Sequence, residues 1–234
     1  MKTLIIIPAY NEEENIKEVI DGVKKEEPDA KILVIDDGSS DSTASVVKNT
    51  KKADIIMLPH NLGIGGAVQT GFKYARKNTY DMVVRVDADG QHRAEEIRDV
   101  MQPVVEKKAD MVIGSRFLAE TGGYPILTRR IGQKIIAFFT SLIARQKITD
   151  STSGFRCYNK RATTLLSKYY PTDSPGGEEI IFLQKNAIKI KEVPISIKMR
   201  EKGKSSITTL DSIFYMIKVV LSIFINVLRT PIIK

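Results

Sequence analysis

The sequence predicts an α/β fold with a mostly parallel central sheet flanked by helices. Short apolar runs alternate along the first half of the chain with longer segments of helical periodicity, the pattern of successive strand–helix–strand units. Acidic, polar or glycine-rich residues follow each apolar run, as expected where loops leave the carboxyl ends of parallel strands. The 234 residues are enough for one such domain with a full core.

Composition narrows the choice of partner and compartment. The net charge of +8 indicates an anionic partner, which could be nucleic acid, a membrane surface or phosphate groups. No zinc-finger, helix-turn-helix or aromatic RNA-binding signature is present, so we expect no nucleic-acid partner. Cys157 is the single cysteine, which excludes an internal disulfide and fits a reducing compartment. The apolar run at 4–7 is too short for a signal peptide.

The predicted elements follow one another at regular spacing. We place Asn11 as the N-cap of the first helix and take Pro194 to mark an edge or a bend in the last strand. The stretch 129–143 is basic at its start and then apolar, and one interpretation is a core helix with a solvated basic end. The strands are predicted at 3–7, 31–35, 54–58, 82–86, 110–113 and 191–197, and the helices at 12–25, 42–50, 67–77, 94–107 and from 178 onwards.

Polar side chains that are distant in sequence are expected to share one edge of this sheet. Ligands of open α/β sheets bind where parallel strands end. The residues that lie just past predicted strand ends are Tyr10, Asn11, Asp36, Asp37, Asp87 and Asp89.

The loop after the fourth strand is the strongest candidate for a metal site. Asp87, Asp89 and Gln91 are spaced two apart, which can aim two carboxylates and an amide oxygen at one point. Hard oxygen ligands suit Mg²⁺ or Mn²⁺, which usually keep coordination sites for phosphate oxygens. The alternative is a solvated loop rich in turn-forming residues.

The glycine-rich segment 61–66 allows two interpretations. Its backbone N–H groups could face a phosphate at the start of a helix, which makes Gly66 a candidate substrate-binding residue. It could equally be a tight turn with close helix packing. Its glycines follow the third strand in the wrong register for a dinucleotide-binding fingerprint.

The C-terminal segment differs in character from the rest of the chain. We assign residues 1–206 to the α/β domain and 207–234 to an amphipathic helix. Its longest run without charge, 219–228, is too short and too polar for an ordinary spanning helix. A helix that lies in the membrane interface, with its basic residues near the lipid headgroups, fits this segment better. The alternatives are a helix packed on the domain or on a second protomer, which would give a homo-oligomer.

Taken together, the motifs resemble family 2 glycosyltransferases of the GT-A fold, most closely the dolichol-phosphate mannosyltransferase and polyprenyl-phosphate glycosyltransferase group. The matching pieces run in family order over most of the chain. They are IPAYNEEENI (7–16), VIDDGSSDST (34–43), NLGIGGAVQTGF (61–72), DADGQH (87–92), GSRF (114–117), DSTSGFR (150–156), EVPI (192–195) and RxxGxS (200–205).

The resemblance implies roles for individual residues. It implies Mg²⁺ or Mn²⁺ on Asp87, Asp89 and Gln91, with Asp89 and Arg116 counted among the catalytic residues. It implies that Asp150 is a base or a sugar-orienting group. The positions implied to hold the donor's nucleoside are Pro8, Ala9, Tyr10, Glu12 and Asp37. Those implied to hold the acceptor phosphate and the donor diphosphate are Arg116, Arg130 and Arg200, and Ser205 completes the substrate-binding set.

The implied reaction is inverting transfer of a sugar from a UDP- or GDP-linked donor to a membrane polyprenyl phosphate. We accordingly expect a peripheral protein on the cytoplasmic face of the membrane. A hydroxyl acceptor on a cell-envelope glycan or glycolipid is the first alternative, and it would need Asp150 or Glu179 as general base. A nucleotidyltransferase is disfavoured because residues 8–11 lack a glycine-rich loop with an arginine. A non-catalytic nucleotide-sugar-binding protein is also disfavoured, because such a protein has less need of the metal ligands Asp87, Asp89 and Gln91.

Overall fold

The computed structural model describes residues 1–118, 127–171 and 175–198. Seven strands in these residues form one sheet, in the order β3-β2-β1-β4-β6-β5-β7. Strand β6 is antiparallel to both of its neighbours, β4 and β5, and all other adjacent pairs are parallel. The strands are β1 Thr3–Ala9, β2 Lys31–Asp36, β3 Asp54–Met57, β4 Met82–Arg85, β5 Met111–Ser115, β6 Arg156–Asn159 and β7 Ile190–Pro194.

Helices cover both faces of this sheet. A short 3₁₀ turn, Ala94–Glu96, precedes the fourth helix. In the described residues none of the helices combines the length and apolarity needed to cross a membrane. The helices are α1 Ile16–Glu26, α2 Thr43–Thr50, α3 Gly63–Lys77, α4 Ile97–Val105, α5 Leu127–Ala144, α6 Lys160–Lys168 and α7 Pro175–Lys185.

The apolar run in β1 is explained by burial on both faces. Leu4 and Ile6 point into a core that contains residues of α3, α6 and α7, whereas Ile5 and Ile7 point into the opposite core beneath α1 and α4. Since side chains alternate along a strand, a central strand covered on both faces must be apolar at every position. This confirms the predicted α/β architecture with a mostly parallel sheet.

The predicted start of the first helix was wrong. Helix α1 begins at Ile16, and Asn11 is not its N-cap but has a positive φ of 54°. Asn11 instead joins the neighbouring loop: its Oδ1 accepts from the Ser40 N–H at 2.9 Å, and its N–H donates to Ser39 Oγ at 2.9 Å. A contact between loops has no local sequence signal, which is why helix-capping rules misplaced this residue.

Helix α3 begins at Gly63, four residues before the predicted start at 67. The N–H of Leu62 donates to the Asp37 carboxylate, and that of Gly63 donates to Asn61 Oδ1, both at 2.8 Å. These acceptors satisfy N–H groups that have no partner inside a helix. They therefore let a glycine-rich segment form the first helical turn.

The prediction missed β6 and α6. Strand β6 has only four residues and begins with the charged Arg156, so it carries neither alternation nor an apolar run. Asn159 follows directly as the N-cap of α6, with its Oδ1 accepting from the Ala162 N–H at 2.9 Å. The interpretation of Pro194 was correct, because it ends β7 at the edge of the sheet.

Candidate functional site

The reversed direction of β6 brings two distant loops to one edge of the sheet. Arg85, the last residue of β4, pairs with Arg156, the first residue of β6. The loop that enters β6, residues 150–155, therefore lies beside the loop that leaves β4, residues 86–92. The carboxyl ends of β1, β2, β4 and β5 share this edge, as the sequence predicted for the strand-end residues.

The loop after β4 is held by its own side chains. Asp87 accepts from Arg85 Nη2 through Oδ1 at 3.1 Å, and its N–H donates to His92 Nδ1 at 3.2 Å. Asp89 Oδ1 accepts from the N–H of Gln91 at 3.1 Å. The three predicted metal ligands thus lie in one turn. The buried Arg85 orients the carboxylate of Asp87.

Gly154 lies directly against this carboxylate. A Cβ built on Gly154 would overlap the carboxylate of Asp87, so no other residue type fits without moving Asp87. The next residue, Phe155, stacks on the ring of His92 with centroids 4.9 Å apart. The segment 150–156 is thereby packed onto the Asp87 loop, which makes the two motifs parts of one site.

Electrostatics keep Asp87 ionised at neutral pH. Burial by itself raises the pKa of this carboxyl, but the charge of Arg85, together with a smaller effect of Arg116, outweighs burial and lowers the pKa. The site therefore combines an ionised carboxylate, that of Asp87, with the positive charge of Arg116 at the end of β5.

The donor chemistry at this loop fits a hard divalent cation. Asp87 and Asp89 supply carboxylates and Gln91 an amide oxygen, and such ions complete their coordination with substrate phosphates and water. Within the described ranges, no cluster of three or more His, Cys, Asp or Glu side chains could hold a metal ion. A metal ion held by two carboxylates and an amide would need further ligands from substrate and water.

Arg116 and Asp150 form a bidentate ion pair at the end of β5. Arg116 Nε donates to Asp150 Oδ2 at 2.6 Å, and Nη2 donates to Oδ1 at 2.7 Å. The Arg116 N–H also donates to Oδ2 at 3.1 Å, and Thr152 Oγ1 donates to Oδ1 at 3.2 Å. Both oxygens of Asp150 are thus engaged.

The two partners of this pair differ in exposure. The Asp150 side chain is fully buried, whereas 21% of the Arg116 side chain is exposed. Burial raises the pKa of Asp150, but the hydrogen bonds and charge of Arg116 outweigh burial and lower the pKa. A fixed guanidinium thus faces the site, held by an ionised carboxylate behind it.

Glu192 of β7 positions Asp150 from below, a role that sequence reasoning missed. Its Oε1 accepts from the Asp150 N–H at 2.8 Å, and its Oε2 accepts from the N–H and the hydroxyl of Thr149. Ser115 Oγ lies 2.7 Å from Thr149 Oγ1. The EVPI motif contained a signal for this role. An acidic residue in a strand that ends beside the site needs hydrogen-bond donors from neighbouring segments.

A second buried ion pair lies beneath the loop 150–155. Arg156 Nη1 donates to Glu179 Oε2 at 2.9 Å, and the Tyr170 hydroxyl donates to the same oxygen at 2.9 Å. Arg156 also donates to the backbone carbonyls of Ser151 and Ser153. Neither Arg156 nor Glu179 reaches the surface, so this network shapes the loop rather than touching a substrate.

The predicted nucleoside-binding residues lie at the ends of β1 and β2. Tyr10 is exposed, whereas Pro8 and Ala9 are buried as the last residues of β1. Glu12 is half-buried and receives a hydrogen bond from Asn15 Nδ2 at 2.7 Å. Tyr10 therefore presents an exposed aromatic ring at this edge.

Asp37 has a partner within the fold, the start of α3. Its Oδ1 accepts from the Leu62 N–H at 2.8 Å, and burial raises the pKa of Asp37 more than its hydrogen bonds lower it. A Cβ on Gly38, where φ is 73°, would lie 2.7 Å from the carbonyl carbon of His60. The two loops are thus in close contact, which fixes the Asp37 carboxylate.

Gly66 lies in the first turn of α3, where a Cβ would come 2.6 Å from Leu62 Cβ. This contact favours the tight-turn interpretation of the glycine-rich segment.

Three predicted substrate-binding side chains lie outside the described residues. Arg130 belongs to the first turn of α5, of which only the backbone is described, and Arg200 and Ser205 follow the last described residue. The chain that leads to them is tied to the site, because the Lys198 N–H donates to the Gln91 carbonyl at 2.9 Å. The predicted helix at 207–234 also lies beyond the described ranges.

Comparison with known proteins gives one family. Residues 4–165 match the model of glycosyl transferase family 2. A UDP-N-acetylglucosamine–dolichyl-phosphate N-acetylglucosaminyltransferase of Methanococcus voltae is 37% identical over 82% of this chain and 83% of its own. A polyprenol monophosphomannose synthase of Mycolicibacterium smegmatis is 31% identical over 88% of this chain and 81% of its own.

Among solved structures, glucosyl-3-phosphoglycerate synthase from Mycobacterium tuberculosis resembles the chain in fold. Its complex with phosphoglyceric acid superposes with a TM-score of 0.73 at 17% identity, over 98% of this chain and 81% of the synthase. A second crystal of that synthase contains Mn²⁺, uridine diphosphate and glucosyl-3-phosphoglycerate.

Proposed function

Because the chain belongs to glycosyl transferase family 2, we propose that it transfers a sugar from a nucleotide-diphosphate sugar to a polyprenyl phosphate. The chain is a glycosyltransferase, and its fold is the GT-A fold expected from the sequence. Two relatives above 30% identity carry names that specify a dolichyl or polyprenol phosphate acceptor. Their chemistry is the starting point for the acceptor proposed here.

The state of Asp150 is the observation that carries the choice of acceptor. A hydroxyl acceptor needs a general base to remove its proton. Asp150 is buried, both of its oxygens are occupied by Arg116 and Thr152, and its pKa is lowered. Glu179, the other acid considered as a base, is buried against Arg156. Neither carboxylate favours the removal of a proton from an acceptor hydroxyl.

A phosphate acceptor avoids the need for a base. The second pKa of a phosphate monoester is about 6, so its oxygen is largely anionic at neutral pH. That oxygen attacks the anomeric carbon as the bond to the nucleoside diphosphate breaks, and the single displacement inverts the configuration. Arg116 offers a charged, planar donor to the phosphate oxygens, and we assign Arg130, Arg200 and Ser205 to the same anionic groups.

The leaving group is the second charge that the site must stabilise. We assign Mg²⁺ or Mn²⁺ to Asp87, Asp89 and Gln91, where a bound ion would stabilise negative charge on the departing nucleoside diphosphate. Asp87 is kept ionised for this role by Arg85, with a smaller effect of Arg116. The structural neighbour crystallised with Mn²⁺ and uridine diphosphate supports this choice of cofactor.

The donor's nucleoside is assigned to the ends of β1 and β2. Tyr10 offers an exposed ring there, and Pro8, Ala9, Glu12 and Asp37 form the surrounding surface. UDP-N-acetylglucosamine is the first donor to test, because the relative at 37% identity is named for it. With a lipid acceptor, the enzyme is expected to work as a peripheral protein on the cytoplasmic face of a membrane.

A matched pair of acceptors tests this proposal. The purified enzyme is incubated with Mn²⁺ or Mg²⁺ and a panel of UDP- and GDP-sugars, together with either a polyprenyl phosphate or the corresponding polyprenol. Mass spectrometry is expected to find a sugar-phosphate lipid from one donor and no product from the alcohol. Transfer to the alcohol, or donor hydrolysis without lipid product, would overturn the proposed acceptor. Arg116→Gln should reduce product formation with the phosphate.

A further inference from the structure

The chain that leaves β7 crosses the carboxyl edge of the sheet towards the loop after β4. It begins where Pro194 pairs with Ser115, the last residue of β5. The N–H of Ile195 donates to the Ser115 carbonyl at 3.0 Å. The Ile195 side chain is buried against Gly114, where a Cβ would lie 2.9 Å from Ile195 Cγ2. The crossing segment, residues 195–198, is thus fixed to β5 at its start.

Glu96 holds the middle of the crossing segment. The N–H of Ser196 donates to both carboxylate oxygens of Glu96, at 2.8 Å to Oε1 and at 3.1 Å to Oε2. Glu96 ends the short 3₁₀ turn before α4, and the next residue, Ile97, is fully buried as the first residue of that helix. Glu96 therefore ties the crossing segment to an element that is anchored in the core.

The crossing segment then contacts the loop that carries the predicted metal ligands. Ile197 forms an antiparallel bridge with His92, and the Lys198 N–H donates to the Gln91 carbonyl at 2.9 Å. The N–H of Gln91 donates to Asp89 Oδ1 at 3.1 Å. The backbone of Gln91 is therefore held on both sides, by Asp89 and by the crossing segment.

We propose that Glu96 is a positioning residue for the metal ligand Gln91. Its carboxylate fixes Ser196, and Lys198, two residues later, fixes the Gln91 carbonyl. Groups that orient a metal ligand from behind change metal affinity by about 10–100-fold when they are removed. The inference rests on the proposed function in taking Gln91 as a ligand of Mg²⁺ or Mn²⁺. It goes beyond that function by assigning a role to a residue that acts through the crossing segment.

The same contact bears on the acceptor side of the site. Arg200, which we assign to the anionic groups of the substrates, is two residues beyond Lys198 in the sequence. Release of the crossing segment should therefore affect the metal ligand and also the chain that leads to Arg200. With a polyprenyl phosphate as acceptor, Glu96→Ala should raise the acceptor KM more than it lowers kcat.

Mn²⁺ binding tests the proposal without sugar transfer. The full chain is titrated with Mn²⁺ in the presence of uridine diphosphate or guanosine diphosphate, and the free ion is measured by electron paramagnetic resonance. Glu96→Ala should raise the dissociation constant for Mn²⁺ by about tenfold, the lower end for a group that orients a ligand. Glu96→Gln keeps an oxygen that can accept from the Ser196 N–H and should remain within about threefold of the wild type.

Amide hydrogen exchange reports on the contact itself. In the metal-free protein, Glu96→Ala should speed exchange at the N–H groups of Ser196 and Lys198, because opening of the crossing segment exposes both. Glu96→Gln should restore most of their protection. These two N–H groups therefore show whether the substitution releases the segment before any metal is added.

Two control variants separate the contact from general effects. The Asp81 carboxylate accepts from the Lys2 N–H at 2.9 Å, which is a bond of the same kind at the amino ends of β1 and β4. Asp81→Ala should therefore leave Mn²⁺ binding unchanged. Glu95→Ala removes the neighbouring exposed carboxylate and measures the effect of losing one negative charge at this turn.

The contradicting results are distinct from one another. Unchanged Mn²⁺ binding in Glu96→Ala, with faster exchange at Ser196, would make the contact purely structural and overturn the proposal. Equal weakening of Mn²⁺ binding in Glu95→Ala, Glu96→Gln and Glu96→Ala would attribute the effect to charge and would overturn it as well.

The wild type separates this inference from the proposed function. A wild-type protein that binds Mn²⁺ with a nucleoside diphosphate but transfers no sugar would count against the proposed function alone, since neither binding nor exchange involves the acceptor. A wild-type protein that binds no Mn²⁺ would refute the metal site and this inference together.

Discussion

Replacing Asp150 by asparagine distinguishes a positioning role from a general-base role. The substitution keeps the shape of the side chain and removes its charge. In the native protein the carboxylate accepts from Arg116 Nε at 2.6 Å and from Nη2 at 2.7 Å. An amide has one oxygen, so whichever way it is turned, one of these two hydrogen bonds is lost and an N–H faces an N–H.

The size of the effect follows from the lost hydrogen bond. A hydrogen bond to a charged group contributes about 1.5–3 kcal/mol, and the lower end applies because Arg116 is partly exposed. About 1.5 kcal/mol corresponds to a tenfold change. We therefore expect Asp150→Asn to raise the KM for the polyprenyl phosphate about tenfold and to lower the free energy of unfolding by roughly the same 1.5 kcal/mol.

Steady-state transfer is measured from pH 5 to 9, with the acceptor phosphate varied at saturating donor. The acid limb of the wild-type profile should reflect the acceptor's own ionisation near pH 6 and should persist in Asp150→Asn. Asp54→Asn is the matched control, because it removes a carboxylate that pairs with Lys31 at the surface of β3.

The positioning role would be refuted by a different pattern. If Asp150 acts as a general base, kcat should fall by about 10²–10⁴-fold, the KM for the acceptor should change little, and the acid limb should disappear. An unchanged KM with unchanged kcat would show that Arg116 needs no orientation by Asp150.

Three further predictions concern the residues around this pair. Gly154→Ala should displace Asp87, whose carboxylate would overlap the new Cβ, and should raise the Mn²⁺ concentration needed for half-maximal transfer. Glu179→Gln should lower the free energy of unfolding in urea by about 3 kcal/mol, because it leaves the buried Arg156 charge uncompensated. Cys157 is buried and burial raises its thiol pKa, so it should react with a thiol reagent only after unfolding.

Each of these has a control or a contradicting outcome. Gly22→Ala, whose Cβ would meet Ala94 Cβ at 3.3 Å, should leave the Mn²⁺ requirement unaltered. Loss of the acid limb of the pH profile in Glu179→Gln would contradict a purely structural role. Rapid labelling of Cys157 in the native protein would contradict its burial.

Acid stability should also depend on Asp150. Because its pKa is lowered in the folded state, its contribution to stability is present above the ordinary carboxyl pKa and is lost as pH falls through the lowered value. Unfolding free energies measured below about pH 4 should therefore decline less steeply in Asp150→Asn. An identical slope in both proteins would contradict the lowered pKa.

Local sequence predicted what depends on local pattern. The apolar run of β1 indicated a strand buried on both faces, and the spacing of Asp87, Asp89 and Gln91 indicated a loop that the structure shows at a strand end. The helix start at Ile16 and the loop contacts of Asn11 were not predictable, because they depend on Ser39 and Ser40, which come from another loop.

In the candidate site, too, some features were predictable from the sequence and others were not. The strand pattern predicted that Asp37, Asp87 and Asp89 would share an edge, since parallel strands present their carboxyl ends together. The roles of Arg116 and Asp150 were implied only by the family resemblance. The bidentate pairing of Asp150 with Arg116 and its support by Glu192 were invisible in sequence, because the partners are 34 and 42 residues apart.

The sequence by itself determined the architecture, the family and the kinds of group available for chemistry, because these follow from periodicity and from motifs read along the chain. Only the tertiary structure decided which groups are free to act. The antiparallel insertion of β6 brought residues 150–155 onto the Asp87 loop, and the fold buries Asp150 in an ion pair with Arg116, which favours the proposed positioning role over that of a base. Burial and pairing, which set the state of a carboxylate, arise only when distant segments meet.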